Sequence, residues 1–163
     1  MLLIDGYNLL FAQKKVERRR LPEAREALVL RIARYCESCG QQARVIFDFT
    51  QGPPAFGGEA RRRLGAVEIR YTPKGVTADD EILGTLAGTK DRTAYTVVTS
   101  DRGIADEARR RQFEVVDSDR MLAEMERILR EAAGKTGEAP EKLRGLAPGE
   151  VDHWMREFGL RDE

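Results

Sequence analysis

Asp5, Asp48 and Asp101 each follow a short apolar run, in LLID, VIFD and YTVVTSD, and Asp79 with Asp80 opens TADDEILGTLAG. Carboxylates this far apart in the chain repel one another if the fold gathers them, unless they are protonated or bridged by a cation. Oxygen-only ligands favour Mg²⁺ or Mn²⁺ over zinc or copper. Each acid also has a plainer use. Asp5, ahead of Gly6, can hydrogen-bond the backbone of its own turn. Asp101 in SDRG can cap the next helix, and Asp79 and Asp80 can complement a helix dipole. What favours the cation is their concurrence at one place, and that depends on the elements that carry them.

Those elements alternate. LLID is an apolar run without alternation, as in a strand buried on both faces, and Gly6 with Asn8 supplies turn residues after it. Residues 22–39 repeat apolar positions at helical spacing, with Pro22 in the first turn and Gly40 just beyond the end. A strand is expected over 43–49, a loop over TQGPPAFGG, a short helix over Arg61–Leu64 and a strand over 66–71. A helix from Thr77, a strand through YTVVTS, a helix over GIADEARRR, a strand FEVVD and an amphipathic helix over 119–133 complete the order. Such alternation implies parallel pairing with right-handed crossovers, hence a three-layer α/β domain. In an open parallel sheet the functional crevice lies outside the carboxyl ends of the strands, where these acids fall.

The helix from Thr77 separates its two acids. Asp79 precedes Ile82 and Leu83 by three and four residues and is expected to point along the inward face. Asp80 takes the capping-box position relative to Thr77. Asp79 is thus the expected ligand and Asp80 the expected cap.

Other chemistries fit worse. There is no G-x-G-x-x-G and no G-x-x-x-x-G-K-[ST] loop, so a nucleotide cofactor has no cradle. A second acid two residues after Asp5, which a phosphotransfer aspartate would want, is missing. Ser100 has no histidine to activate it, because the one histidine, His153, lies in the tail. Cys36 and Cys39 form a C-x-x-C without a second pair for zinc, and they precede Gly40 at a helix end, the wrong end to lower a thiol pKa. Cys36 reads as core and Cys39 as incidental.

With 163 residues and 41% hydrophobic content, the chain can form a single core without disulfides. Basic residues interrupt every apolar stretch before the roughly 18 residues of a membrane span, and an acid at position 5 does not suit a signal peptide. A cytoplasmic protein without membrane contact is expected. Lys plus Arg and Asp plus Glu balance at 28 each, but the arginines cluster in three triplets: Arg18, Arg19 and Arg20; Arg61, Arg62 and Arg63; Arg109, Arg110 and Arg111. They are either solvated helix faces or a basic surround to an acidic centre. Residues 134–149 read as a Gly/Pro/Lys-rich linker, and Val151, Trp154, Met155 and Phe158 mark a tail helix expected to dock on its own domain.

LLIDGYNLL, VIFDF, TADDEI and VVTSD, in this order and spacing, resemble the NYN-domain branch of the PIN-like nucleases, and more closely its bacterial YacP-like members. The resemblance covers residues 2–133 and implies a nuclease domain over 1–133, with 134–163 as linker and C-terminal helix. Carried over, the metal-binding and catalytic acids fall on Asp5, Asp79 and Asp101, with Asn8 and Ser100 as supporting polar residues and Asp48 and Asp80 beside them. Where such sites often carry a fourth acid, this chain has Arg102 and Gly103, with Asp106 a turn later. The resemblance implies Mg²⁺-dependent (or Mn²⁺-dependent) endonucleolytic hydrolysis of RNA, with mRNA as substrate and the ribosome as partner, leaving a 5′-phosphate and a 3′-hydroxyl. The arginine triplets would then hold RNA phosphates. Tyr7 would either stack on a base or pack on the core. Two rivals are a non-catalytic PIN-like RNA- or ribosome-binding module and a small-molecule phosphatase.

Overall fold

The computed structural model describes residues 1–14, 16–49 and 60–136. The elements run β1 (Leu2–Asp5), α1 (Gly6–Ala12), a 3₁₀ turn (Arg18–Arg20), α2 (Leu21–Cys39), β2 (Ala43–Phe47), β3 (Arg61–Leu64), β4 (Val67–Tyr71), α3 (Ala78–Gly88), β5 (Thr96–Val98), α4 (Arg102–Arg110), β6 (Glu114–Val116) and α5 (Ser118–Thr136). They form one six-stranded sheet in the order β3-β4-β2-β1-β5-β6, parallel throughout except for β3 at the edge. This is the expected three-layer α/β architecture.

The central strand explains its own composition. Leu2 and Ile4 pack with α2 and α5 on one face, against Leu28, Ile32 and Met125. Leu3 packs on the other, with Ile82 and Leu86 of α3 and Ile104 of α4. A strand covered on both sides gains from every residue, about 1.5–3 kcal/mol for each large apolar side chain fully buried, so no polar alternation appears. From β1 the chain steps outward through β2 and β4 on one side and through β5 and β6 on the other. The strand order therefore reverses between β1 and β5, where a parallel sheet opens a crevice at its carboxyl edge.

Three expectations are corrected. Arg61–Leu64 is an antiparallel edge strand, not a short helix, with Arg61 opposite Arg70 and Leu64 opposite Val67. Its alternation of exposed and half-buried residues is a strand period. The residues after Asp5 are a helix, α1, and not a turn. Gly6 serves this abrupt entry by space: a Cβ there would lie 2.5 Å from the Phe47 ring and 2.9 Å from the Ile46 carbonyl oxygen. Finally, α5 continues through Gly134 to Thr136, past the expected start of the linker. The end of α2 is as expected, with Gly40 at φ +65° and its N–H bonded to the Cys36 carbonyl. Both cysteines are free, Cys36 buried and Cys39 exposed, and burial pushes the Cys36 thiol up to about 12. The TQGPPAFGG loop, most of the linker and the tail helix lie outside the described residues.

Candidate metal and phosphate site

Asp5 ends β1 and caps α1, accepting the Asn8 N–H on Oδ1 at 3.1 Å. The plain reading of this residue is therefore correct as far as it goes, but the cap leaves a carboxylate 7% exposed at the head of the crevice. Burial raises its pKa to about 6, partly opposed by the Asn8 N–H, with Asp79, Asp101 and Asp48 each adding repulsion. Residues distant in sequence thus share one electrostatic field. Asp48 follows directly on β2, beside β1 in the sheet.

Asp79 and Asp80 divide as their positions in α3 require. Asp80 completes a capping box: Thr77 Oγ1 accepts the Asp80 N–H at 3.1 Å, and Asp80 Oδ2 accepts from Thr77 N at 3.1 Å and Thr77 Oγ1 at 2.8 Å. Those bonds hold its carboxyl below the usual range. Asp79 behaves oppositely. Partial desolvation raises its pKa, followed by repulsion from Asp101, Asp80 and Asp48. Its side chain is not packed inward beside Ile82, as the helical spacing suggested, but is exposed. In that turn it is Ala78 that enters the core, beside Ile82 and Leu86, and Asp79, one position on, is turned away from it.

Asp101 follows β5, caps α4 by accepting the Ile104 N–H at 3.0 Å, and receives no side-chain cation among the described residues. The loop that carries it is fixed by Asn8, whose Oδ1 accepts from Ser100 N and from Ser118 Oγ, both at 2.7 Å. Ser100 Oγ in turn donates to Asp117 Oδ2 at 2.7 Å and accepts the Ser118 N–H at 3.0 Å. This network ties α1, the β5 end and the α5 start together across the β1–β5 crevice. Its bond from Ser100, with one from the Asp119 N–H, lowers the Asp117 pKa. Asp117 is the residue that sequence reasoning missed, although FEVVD repeats the apolar-run-then-acid pattern of LLID and VIFD. Asp106 instead pairs with Arg109 on α4.

Among the described residues no three acidic, histidine or cysteine side chains form a finished metal cage. The donor chemistry nonetheless fits a hard divalent cation. The converging groups are all carboxylates, and Asp5 and Asp79 both hold protons more tightly than isolated aspartates. Tyr7 belongs to the core: it is buried, stacked on Phe11 at 5.7 Å, edge-on to Phe47 at 5.2 Å, and its hydroxyl accepts from buried Arg25 at 2.8 Å. It has no free face for a base.

The arginine triplets separate. Arg19 and Arg20 are exposed on the 3₁₀ turn. Arg62 turns to the α2 side and pairs with buried Glu26, whereas Arg61 and Arg63 are exposed on the opposite face. Arg109, Arg110 and Arg111 pair with Asp106 and Glu107 of their own helix. They end α4, which starts at the carboxyl edge and runs back, so they lie at the far edge of the sheet.

The sequence pattern of YacP-like NYN domains matches residues 2–153. YacP of Bacillus subtilis (strain 168) is 32% identical over 85 residues, 50% of this chain and 48% of YacP, so the match spans about half the length of that relative. The crystal structure of Bacillus subtilis Rae1 (YacP) superposes with a TM-score of 0.65 at 24% identity, covering 98% of this chain and 92% of that chain. A point mutant of the same protein gives the same score and identity over 94% and 88%. These likenesses agree with the fold described above. No helix among the described residues is long and apolar enough to cross a membrane.

Proposed function

Because this chain belongs to the YacP-like NYN-domain family, a nuclease-like, RNA-related group, we propose that it is a divalent-metal-dependent endoribonuclease whose site is Asp5, Asp79 and Asp101. The observation that carries the reading is the buried Asp5 carboxyl at the β1–β5 switch, repelled by three acids from separate elements. Asp5, Asp79 and Asp101 would hold Mg²⁺ or Mn²⁺, with Asp48 beside them. Such a cation supplies charge neutralisation at the scissile phosphate and lowers the pKa of a water.

The chain's own residues do the positioning. The Asn8 N–H fixes one oxygen of Asp5, and the Asn8 side chain fixes the Ser100 loop so that Asp101 stands opposite. The Thr77–Asp80 box occupies Asp80, which leaves Asp79, repelled by Asp101 and Asp48, as the α3 acid for the cation. The catalytic unit runs from β1 to the end of α5 at Thr136. The family resemblance extends the reading to mRNA as substrate, the ribosome as partner and the cytoplasm as compartment.

Incubation of the protein with end-labelled RNA, in Mg²⁺ and in chelator, tests this. Internal cleavage in Mg²⁺ alone, leaving 5′-phosphate and 3′-hydroxyl ends, is expected. Cleavage that persists in chelator, or intact RNA in both, overturns the assignment. In the second case an RNA-binding module remains.

A further inference from the structure

Among the described residues, two of the three arginines in the edge strand have no counter-ion. Strand alternation sends Arg62 and Leu64 toward α2 and sends Arg61 and Arg63 to the other side of the sheet. On that side β4 presents Glu68 and Arg70, and β2 presents Arg44. Arg44 and Arg70 both bond Glu68, at 2.8 and 2.6 Å, and Arg70 also reaches Glu81 at 3.3 Å. Arg44 further donates to the Tyr95 hydroxyl at 3.2 Å and lies over its ring. Four guanidinium groups therefore share this face with two carboxylates, a surplus of two positive charges. Among the described residues no carboxylate pairs with Arg61 or Arg63, and both are exposed.

Register places this surface relative to the site. Arg61 lies opposite Arg70, one residue from the carboxyl end of β4, and Arg63 lies opposite Glu68, further from that edge. Glu81 belongs to the first turn of α3, the turn that carries Asp79. The arginine row thus runs from the edge strand to the helix that supplies an acid to the crevice. The other two triplets lack this geometry: Arg109–Arg111 sits at the opposite sheet edge in ion pairs, and Arg19–Arg20 sits before α2.

We infer that the β3–β4–β2 face, through Arg61 and Arg63, holds the phosphates of single-stranded RNA and leads the strand to the Asp5–Asp79–Asp101 crevice. The inference rests on the nuclease reading above and names where its substrate lies. Arg44 and Arg70 are held in place by Glu68 and Glu81, and the two unpaired arginines supply the exchangeable charge. Phosphate contacts of this kind release counterions and carry no base preference.

The test uses full-length Asp5→Asn protein in chelator, so that RNA stays intact, and measures affinity for a labelled single-stranded RNA across a salt series. Three proteins are compared: Asp5→Asn alone, the same with Arg61→Gln and Arg63→Gln, and the same with Arg109→Gln and Arg110→Gln. The edge-strand pair should flatten the log-log slope by about 1.4, two contacts at roughly 0.7 each for a single strand. The α4 pair should leave the slope unchanged. Thermal unfolding of each protein shows that the comparison is between folded chains. Coincident slopes for all three overturn the inference and leave the nuclease reading intact, since cleavage by the parent in Mg²⁺ is scored separately. A change in binding to polyglutamate without a change in RNA binding also overturns it, as the mark of a face for acidic protein.

Discussion

The Asn8 amide oxygen accepts the Ser100 backbone N–H at 2.7 Å, joining residues 92 apart in the chain across the β1–β5 crevice. The same oxygen accepts a hydrogen bond from the hydroxyl of fully buried Ser118. Asn8→Ala removes the acceptor for both donors, and leaving a buried donor unmet costs about 1–3 kcal/mol. Thermal unfolding should show a loss of about 2–4 °C per kcal/mol for a domain of this size. An unchanged Tm would mean that the bridge does not hold the crevice.

Gly6→Ala should destabilise by overpacking. The added methyl meets the Phe47 ring and the Ile46 carbonyl, and such forced shifts cost about 1–3 kcal/mol. Since Gly6 adjoins Asp5, RNA cleavage should fall more than the fraction folded does. Parallel Tm and cleavage measurements check this, and a variant with parental Tm would refute the contact.

Asp5 makes metal-free stability fall with rising pH. Its folded pKa is about 6, against 3.8 for an isolated aspartate, so the folded state binds the proton more tightly. Its contribution to stability is therefore fully present below pH 3.8 and is lost as pH rises through 6, by at most about 3 kcal/mol. Asp5→Asn keeps an oxygen for the Asn8 N–H and removes the charge. In chelator, its Tm should exceed the parent's at about pH 7.5, and the difference should vanish near pH 4. A variant less stable than the parent at the higher pH would show that the cap outweighs the buried charge.

Asp79 and Asp80 are neighbours with separate roles. Asp79→Asn should abolish cleavage at little cost in Tm, because the helix cap is made by Thr77 and Asp80. Asp80→Asn should retain cleavage, and Thr77→Ala should cost about 1 kcal/mol through the lost cap. Equal loss of activity at positions 79 and 80 would defeat the division.

Much of this was legible in the chain because the signals were local. β1 declared itself by an unbroken apolar run and β2 by Val45, Ile46 and Phe47, the Thr77–Asp80 box by its three-residue spacing, and the end of α2 by Gly40. What escaped depended on tertiary contact. Arg61–Leu64 has no helical or strand preference strong enough to show which it is, and only pairing with β4 makes it an edge strand. α1 follows Asp5 without a gap because Gly6 fits beneath Phe47, a contact between segments far apart in the chain. The bond of Ser100 to Asp117 likewise joins two strand ends that only the sheet order brings together.

The central claim is that the carboxylate of Asp5, not merely its cap, carries RNA cleavage. The most direct measurement is the single-turnover cleavage rate of one labelled RNA by parent and Asp5→Asn, both shown folded by thermal unfolding, in the same Mg²⁺ buffer. Internal cleavage is expected from the parent and none above background from the variant, whose amide keeps the Asn8 bond and lacks the charge. Cleavage by Asp5→Asn at the parental rate would contradict the claim and remove Asp5 from the site.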